Sequence, residues 1–135
     1  MRGRQQGFSL VEALVALVIL SLGVISVAAM QLKAMQSAHS GYQQSLVSVA
    51  ALDAQERIWA AVQQVERCQD IPLGAIESEW RDAWFSGAER PLIPSGNAAK
   101  SVMTRSGCQF SVSVHLDAPH EESGISIDYP FLLPL

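Results

Sequence analysis

The sequence predicts an α+β protein in which a long N-terminal α-helix, transmembrane in its first half and amphipathic in its second, packs on a small antiparallel β-sheet head. Three observations predict this fold. Residues 8–30 are almost purely apolar, apolar positions after residue 34 recur at helical spacing, and a period-two pattern follows near residues 110–116. The expected divisions are a cleaved leader at 1–7, a membrane helix at 8–33, its amphipathic continuation at 34–67 and a head at 68–135.

The composition of the 135-residue chain excludes several classes of protein. Its net charge of −4 argues against a nucleic-acid partner, since a nucleic-acid binder normally presents a basic patch. Its hydrophobic content of 49% is too high for a disordered polar chain. The single apolar span excludes a multi-pass transporter, and two cysteines without a CxxC pair exclude a zinc module. Outside the apolar stretch before Met35, about 100 residues remain, which is enough for one hydrophobic core of modest size.

Residues 8–30 are predicted to cross a membrane once. A helix of that length is roughly 34 Å long, and the hydrocarbon core is about 30 Å thick. Arg2 and Arg4 precede the span and keep its N-terminal side in the cytoplasm, so the chain after Lys33 is expected to be exported.

Three ordinary N-terminal segments fit this span less well. A cleaved secretory signal has a shorter apolar core and is cut after it. A lipoprotein signal needs a cysteine at the cut, and no cysteine precedes Cys68. A plain signal anchor fits the length and charge bias but gives no reason for Glu12, the one charged residue in the run.

Glu12 is the informative residue of the span. An acidic side chain in the bilayer costs about 2.5–3.5 kcal/mol on insertion scales, so it usually has a partner and a function. No Lys, Arg or His shares the span, and the cation that can reach its depth is an α-amino group freed by cutting the chain before Phe8. The alternative is that Glu12 lies near the interface and is hydrated or protonated.

The segment Gly7-Phe8-Ser9-Leu10-Val11-Glu12, followed by an apolar helix, resembles the class III signal of type IV pilins and type II secretion pseudopilins. The resemblance implies that a prepilin peptidase cuts between Gly7 and Phe8 and methylates the new N-terminus at Phe8. It also implies that Glu12 pairs with the Phe8 amine of a neighbouring subunit in a helical filament. Two charges desolvated together attract strongly. An intramolecular pair stays open, because positions i and i+4 share a helix face.

Four further stretches, 13–17, 31–36, 40–45 and 52–57, narrow the resemblance to the minor pilins of type IV pili. It implies a pilin-like fold and a non-enzymatic structural subunit that enters or primes the pilus and supports adhesion and twitching motility. The implied partners are the prepilin peptidase, other minor and major pilins, the inner-membrane assembly platform and, before assembly, the lipid bilayer.

The resemblance also implies where the chain resides. It would be a single-pass protein of the bacterial inner membrane with its N-terminus cytoplasmic and its head periplasmic, and later part of the pilus on the cell surface. The alternative is a minor pseudopilin of a type II secretion system in a periplasmic pseudopilus. A single-pass anchored binding module or enzyme is a further alternative, for which an uncut leader would be the supporting observation.

The second half of the long helix is predicted from its apolar spacing. With no proline before Pro72, the helix is expected to run to about residue 66, a rod of roughly 90 Å. Gly23 and Gly41 are its weak points. From Leu46 onward the apolar stripe is expected to pack on the chain's own head. The stripe consists of Met35, Tyr42, Leu46, Val49, Leu52 and Trp59.

The head is predicted to contain a short helix and three strands. Apolar residues at i, i+4 and i+8 predict a helix over 75–85. Strands are expected at 101–105, 109–116 and 124–129, with a hairpin turn at Ser106-Gly107 and loops at 87–97 and 117–123. Alternation along the second strand places His115 on its outward face.

Cys68 and Cys108 are the two cysteines of the chain, and both lie on the exported side. An even pair in an oxidising compartment usually bonds, so a disulfide is expected to tie the end of the long helix to the sheet. The alternative is two buried reduced thiols.

The chain offers no strong catalytic, cofactor or metal motif. It contains no nucleophile elbow, phosphate loop or HExxH sequence. One polar cluster invites a metal interpretation, but its spacing fits no known site, and a solvated loop is expected instead; it consists of His115, Asp117, His120, Glu121 and Glu122. Oxygen ligands for Ca²⁺ from Glu121, Glu122 and Asp128 would lack the spacing of a dedicated loop.

Overall fold

The computed structural model of the chain describes residues 9–86, 90–118 and 121–134. Its elements are α1 (Leu10–Val62), a 3-10 turn (Cys68–Asp70), α2 (Leu73–Phe85), β1 (Val102–Ser106), β2 (Gln109–Ala118) and β3 (Glu121–Leu132). The predicted α+β class, a long helix with a small antiparallel sheet, is confirmed. The chain divides into two compact units, Met1–Gly41 and Tyr42–Leu135.

The first unit is a stretch of helix in which every described side chain is exposed. An 18-residue window of α1 has a mean hydropathy of 2.7 and is entirely unburied, so α1 can cross a membrane by length and composition. Two hydroxyls of this stretch bond locally: Ser21 Oγ donates to Val18 O at 2.9 Å, and Ser26 Oγ donates to Leu22 O at 2.8 Å. These bonds reduce the cost of placing a hydroxyl in hydrocarbon.

α1 ends at Val62, somewhat before the predicted end near residue 66. Two tightened turns follow: the Gln64 N–H donates to Ala61 O at 3.1 Å, and the Val65 N–H donates to Val62 O at 3.3 Å. Bonds of this i→i−3 kind satisfy carbonyls that a helix end leaves without partners.

The core of the second unit lies between α1, α2 and the inner face of the sheet. α2 contributes Trp80, which is fully buried and whose Nε1–H donates to Ala50 O of α1 at 2.8 Å. The sheet contributes the alternating residues of β2, as its period-two pattern predicts. The buried residues of α1 are Val47, Ala50, Ala51, Ala54 and Ile58, and those of the sheet are Met103, Phe110, Val112, Val114, His115 and Leu116.

The prediction that the apolar stripe of α1 packs on the head from Leu46 onward is wrong for three of its residues. Val49 and Leu52 are 52% and 59% exposed, and Trp59 is 38% exposed. Leu46 alone among the predicted stripe residues of this unit packs against the core. The core side of α1 is instead its alanine-rich face, because short side chains let α2 and the sheet approach the helix backbone closely.

The three strands form an antiparallel sheet in the order β1-β2-β3. The predicted hairpin between β1 and β2 is confirmed, and Gly107 supplies the positive φ of +63° that its turn requires. β3 is longer than the predicted 124–129. It pairs with β2 from Leu132 opposite Gln109 to Glu121 opposite Ala118, so most of the predicted loop 117–123 belongs to strands.

The two edges of the sheet differ. On the outer edge of β1, the Met103 N–H donates to Glu77 Oε2 of α2 at 2.6 Å, and Glu77 Oε1 is held by Arg81 Nη2 at 2.8 Å. Among the described residues no strand pairs with the outer edge of β3, and this edge contains Pro130, which has no N–H to donate. α2 therefore closes one edge of the sheet with a charged side chain.

Strand alternation predicts His115 on the outward face, but the structure buries it to 8% exposure. Residues 95–97, which precede β1 in the chain, lie beside the C-terminal end of β2. There the Asn97 N–H donates to His115 O at 2.8 Å, and the Asp117 N–H donates to Ser95 O at 2.7 Å. On β3, Gly124 leaves room for the imidazole, because a Cβ there would lie 2.5 Å from Nε2. Contacts with other parts of the chain therefore bury the His115 side chain, although the alternation along β2 predicts that it is exposed.

Gly124→Ala is expected to destabilise the head by about 2–4 kcal/mol. Its φ of +64° strains any residue with a Cβ, and the new methyl group would lie 2.5 Å from both Leu116 O and His115 Nε2. Gly107→Ala is the matched control, because its φ is +63° with no heavy atom within 4 Å of the added Cβ; its expected cost is about 1 kcal/mol. Urea unfolding followed by tryptophan fluorescence measures both, and equal losses would contradict the steric explanation.

Candidate assembly helix

Glu12 lies in the first turn of α1. Its N–H donates to Ser9 O at 2.9 Å, and the Ala13 N–H donates to the same oxygen at 3.3 Å, so the helix begins on the Ser9 carbonyl. A carboxylate in the first turn is favoured by the partial positive charge of a helix N-terminus. This position helps to accommodate the acid but supplies no full counter-charge.

The surroundings of Glu12 on the helix are apolar. Within the described ranges no cation pairs with it, and Lys33, the next basic residue along α1, is about 32 Å further along the helix. In lipid an acid so placed costs about 2.5–3.5 kcal/mol. Its neighbours on the first two turns are all more than half exposed: Leu10, Val11, Leu14 and Val15.

Gly7 and Phe8, the predicted cleavage and methylation positions, lie outside the described residues. The structure therefore places Glu12 in the first helical turn but does not show its predicted partner. Cleavage, methylation and the pair between Glu12 and a Phe8 amine stay predictions.

In the head, the structure joins Cys68 and Cys108 by a disulfide with Cα atoms 5.3 Å apart, as their number and location predict. Arg105 supports the same region, because its Nη1 donates to Cys68 O at 2.9 Å and to Ile71 O at 3.0 Å. The Leu133 N–H donates to Cys108 O at 3.0 Å. The 3-10 turn, the β1–β2 turn and the end of β3 are thus held together.

The polar cluster near the end of β2 is only partly described. His115 Nε2 lies 3.9 Å from Asp117 Oδ1 and, buried, makes no hydrogen bond in the described part of the chain. In that part no three His, Cys, Asp or Glu side chains come together. Asp128 accepts a short hydrogen bond from the Ser113 hydroxyl. The other predicted members lie outside the described side chains: His120, Glu121 and Glu122.

Three polar contacts of α1 were not predicted from the sequence. Asp53 Oδ2 accepts hydrogen bonds from Arg57 Nε at 2.9 Å and from Trp84 Nε1 at 2.8 Å, and the Ser48 and Tyr129 hydroxyls lie 3.1 Å apart. The i,i+4 spacing of Asp53 and Arg57 could have predicted the ion pair between them. The partners from α2 and β3 are brought in by tertiary structure, and they fix the orientation of α1 within the head.

Comparison with protein families finds a match to the prokaryotic N-terminal methylation motif over residues 2–28. The matched segment includes Gly7, Phe8 and Glu12 and covers about a fifth of the chain. Together with a long apolar helix and a small antiparallel sheet, it supports a type IV pilin-like protein, a class that includes the pseudopilins. The class III signal implies processing by a prepilin peptidase and assembly with other pilins. Comparison with curated proteins and with solved structures gives no significant match.

Proposed function

We propose that the chain is a minor type IV pilin, similar to the PilV minor pilins, that enters the pilus or primes its assembly. The observation that carries the proposal is Glu12, an acid in the first turn of an apolar helix whose described side chains are exposed up to Tyr42. Its cost in lipid is offset once the Phe8 amine of a neighbouring subunit meets it. The methylation motif over residues 2–28 supports the proposal.

In this proposal the prepilin peptidase cuts between Gly7 and Phe8 and methylates the Phe8 amine. The chain then spans the inner membrane with its head in the periplasm, an oxidising compartment that suits the disulfide between Cys68 and Cys108. The assembly platform passes it into the pilus beside other minor and major pilins. Its role is structural rather than enzymatic, and it supports adhesion and twitching motility.

A minor pseudopilin of a type II secretion system is the second candidate, because the methylation motif fits both kinds of filament. Mass spectrometry of purified pili separates the two. Head peptides in pili, with loss of twitching on deletion, support the minor pilin. Absence from pili, with loss of protein export on deletion, supports the pseudopilin.

Glu12→Ala is expected to leave processing and membrane insertion intact but to lower the share of the chain in purified filaments about tenfold or more. The reason is that a desolvated charge left without its partner costs about 2–5 kcal/mol. The measurement is quantitative mass spectrometry of the membrane and filament fractions.

Glu66→Ala is the matched control, since it removes an exposed acid beyond the end of α1 and should incorporate normally. Normal incorporation of the Glu12→Ala variant would contradict the pairing role. An intramolecular pair between Phe8 and Glu12 predicts a different result, because it already exists in the membrane: the variant would lower the amount of membrane-inserted chain and leave its partition into filaments unchanged.

A further inference from the structure

The buried imidazole of His115 has a ring nitrogen without a partner in the described part of the chain. The side chain is 10% exposed, and its Nε2 is shielded from solvent and makes no hydrogen bond there. Most buried polar atoms in folded proteins are hydrogen-bonded, because burying one without a partner costs free energy. A neutral imidazole nitrogen in this state is a ready ligand for a metal ion.

A carboxylate lies beside this nitrogen at a separation that suits a shared ion. Asp117 Oδ1 is 3.9 Å from His115 Nε2, which is too long for a hydrogen bond of about 2.7–3.2 Å. A Zn²⁺ ion that binds two such atoms tetrahedrally, at about 2.0–2.2 Å from each, holds them about 3.4 Å apart. The Asp117 side chain is 60% exposed, so its carboxylate is free to move the remaining distance of about 0.5 Å.

Both residues of this pair are held in place by backbone hydrogen bonds. The His115 N–H donates to Ser101 Oγ at 3.0 Å, and His115 O accepts from the Asn97 N–H at 2.8 Å. The Asp117 N–H donates to Ser95 O at 2.7 Å. Because the two backbones are already ordered, an ion that binds both side chains pays little further conformational entropy.

Two neighbouring residues support the pair from outside. Asn97 Nδ2 donates to both carboxylate oxygens of Asp117 at 3.2 Å, and Asn97 is itself fixed because its Oδ1 accepts from the Lys100 N–H at 3.1 Å. Carboxylates that bind metal ions are generally oriented by a second residue in this way. Gly124 keeps the space beside the imidazole open, since a Cβ there would lie 2.5 Å from His115 Nε2.

We propose that His115 Nε2 and Asp117 Oδ1 bind a divalent transition-metal ion of the Zn²⁺ class at the C-terminal end of β2. One imidazole and one carboxylate suit Zn²⁺ and similar first-row ions, whereas Ca²⁺ and Mg²⁺ are held by oxygen ligands. Water completes the coordination, so the affinity is lower than that of a structural zinc site with four protein ligands. The site is independent of the proposed function, and the ion stabilises the head where residues 95–97 join β2.

Calorimetric titration of ZnCl₂ into the full chain in detergent tests the site. The expected result is one Zn²⁺ ion per chain, with binding about tenfold or more weaker in His115→Ala and in Asp117→Asn. His39→Ala is the matched control, because it removes an exposed histidine of α1 and should bind Zn²⁺ as the wild-type chain does. MgCl₂ should give no comparable binding, because Mg²⁺ requires an octahedral set of oxygen ligands.

Two further measurements cover the case in which His115→Ala fails to fold. Asp117→Asn changes an exposed side chain, and its urea midpoint without Zn²⁺ verifies that the head is folded. In the wild-type chain, Zn²⁺ should raise the urea midpoint and shift the nitrogen NMR resonance of His115 Nε2, and in Asp117→Asn both effects should be lost or much reduced. The proposal is overturned by a lack of saturable Zn²⁺ binding up to about 1 mM, by wild-type affinity in either variant, or by an unchanged His115 resonance.

Discussion

Trp80→Ala is expected to lower the free energy of unfolding of the head by about 3–5 kcal/mol, the usual cost of truncating a buried tryptophan. Trp80 is fully buried, its ring meets that of Phe85 edge-on with centroids 5.4 Å apart, and its Nε1–H donates to Ala50 O. The substitution removes packing between α2 and α1 and a buried hydrogen bond together. Urea denaturation of the full chain in detergent measures the loss, with Trp59 and Trp84 as the remaining fluorescent probes.

Two variants separate the contributions of Trp80. Trp80→Phe keeps an aromatic ring but loses the donor to Ala50 O, and its expected cost is about 1–3 kcal/mol. Trp84→Phe is the matched control on the same helix, since Trp84 is half-buried and bonds to Asp53. If Trp80→Ala cost no more than Trp84→Phe, Trp80 would not be the main link between α2 and α1.

The double substitution Cys68→Ser with Cys108→Ser is expected to destabilise the head by about 4 kcal/mol. The disulfide spans 40 residues, and closing a loop of that length removes conformational entropy from the unfolded chain of about that value. Around it, the bonds from Arg105 Nη1 to Cys68 O and from the Leu133 N–H to Cys108 O use backbone oxygens and survive the change to serine. The loss should therefore come mainly from the unfolded state.

Urea midpoints with and without reductant provide the control for this variant. Reduced wild-type protein should unfold at the midpoint of the double variant, while oxidised wild-type protein should be markedly more stable. A loss below about 1 kcal/mol would show that hydrogen bonds alone hold the region around residues 68 and 108.

Features set by local sequence were predictable from this chain. The long helix follows from uninterrupted apolar and amphipathic spacing, and the hairpin follows from Ser106-Gly107 between two strand patterns. The disulfide follows from the two cysteines of the chain, which the sequence predicts to lie on the exported side. The helix and the hairpin depend on residues that are close in sequence, and the disulfide depends on the number of cysteines. The methylation motif over residues 2–28 likewise supports the pilin-like class on a short segment.

Features set by tertiary packing were not predictable in the same way. The stripe from Tyr42 to Trp59 has the largest apolar residues, yet the core lies on the alanine face, because Trp80 approaches the helix backbone there. His115 alternates toward the outside, yet it is buried: residues 95–97 bond to the backbone of β2 beside it, and its imidazole lies against Gly124. In both cases the burial of a residue depends on which other part of the chain packs against it. The periodicity of apolar residues along one helix or strand does not contain that information.

The hydrogen bond from the Met103 N–H to Glu77 at the edge of β1 affects whether the sheets of two heads can pair when the heads are close together. Sheets with two free margins can add strands from other molecules and aggregate without limit. Here one margin is occupied by the bond from the Met103 N–H to Glu77, and the other is interrupted by Pro130 and marked by the charge of Asp128. Pairing of strands between two heads is therefore disfavoured at both margins of the sheet.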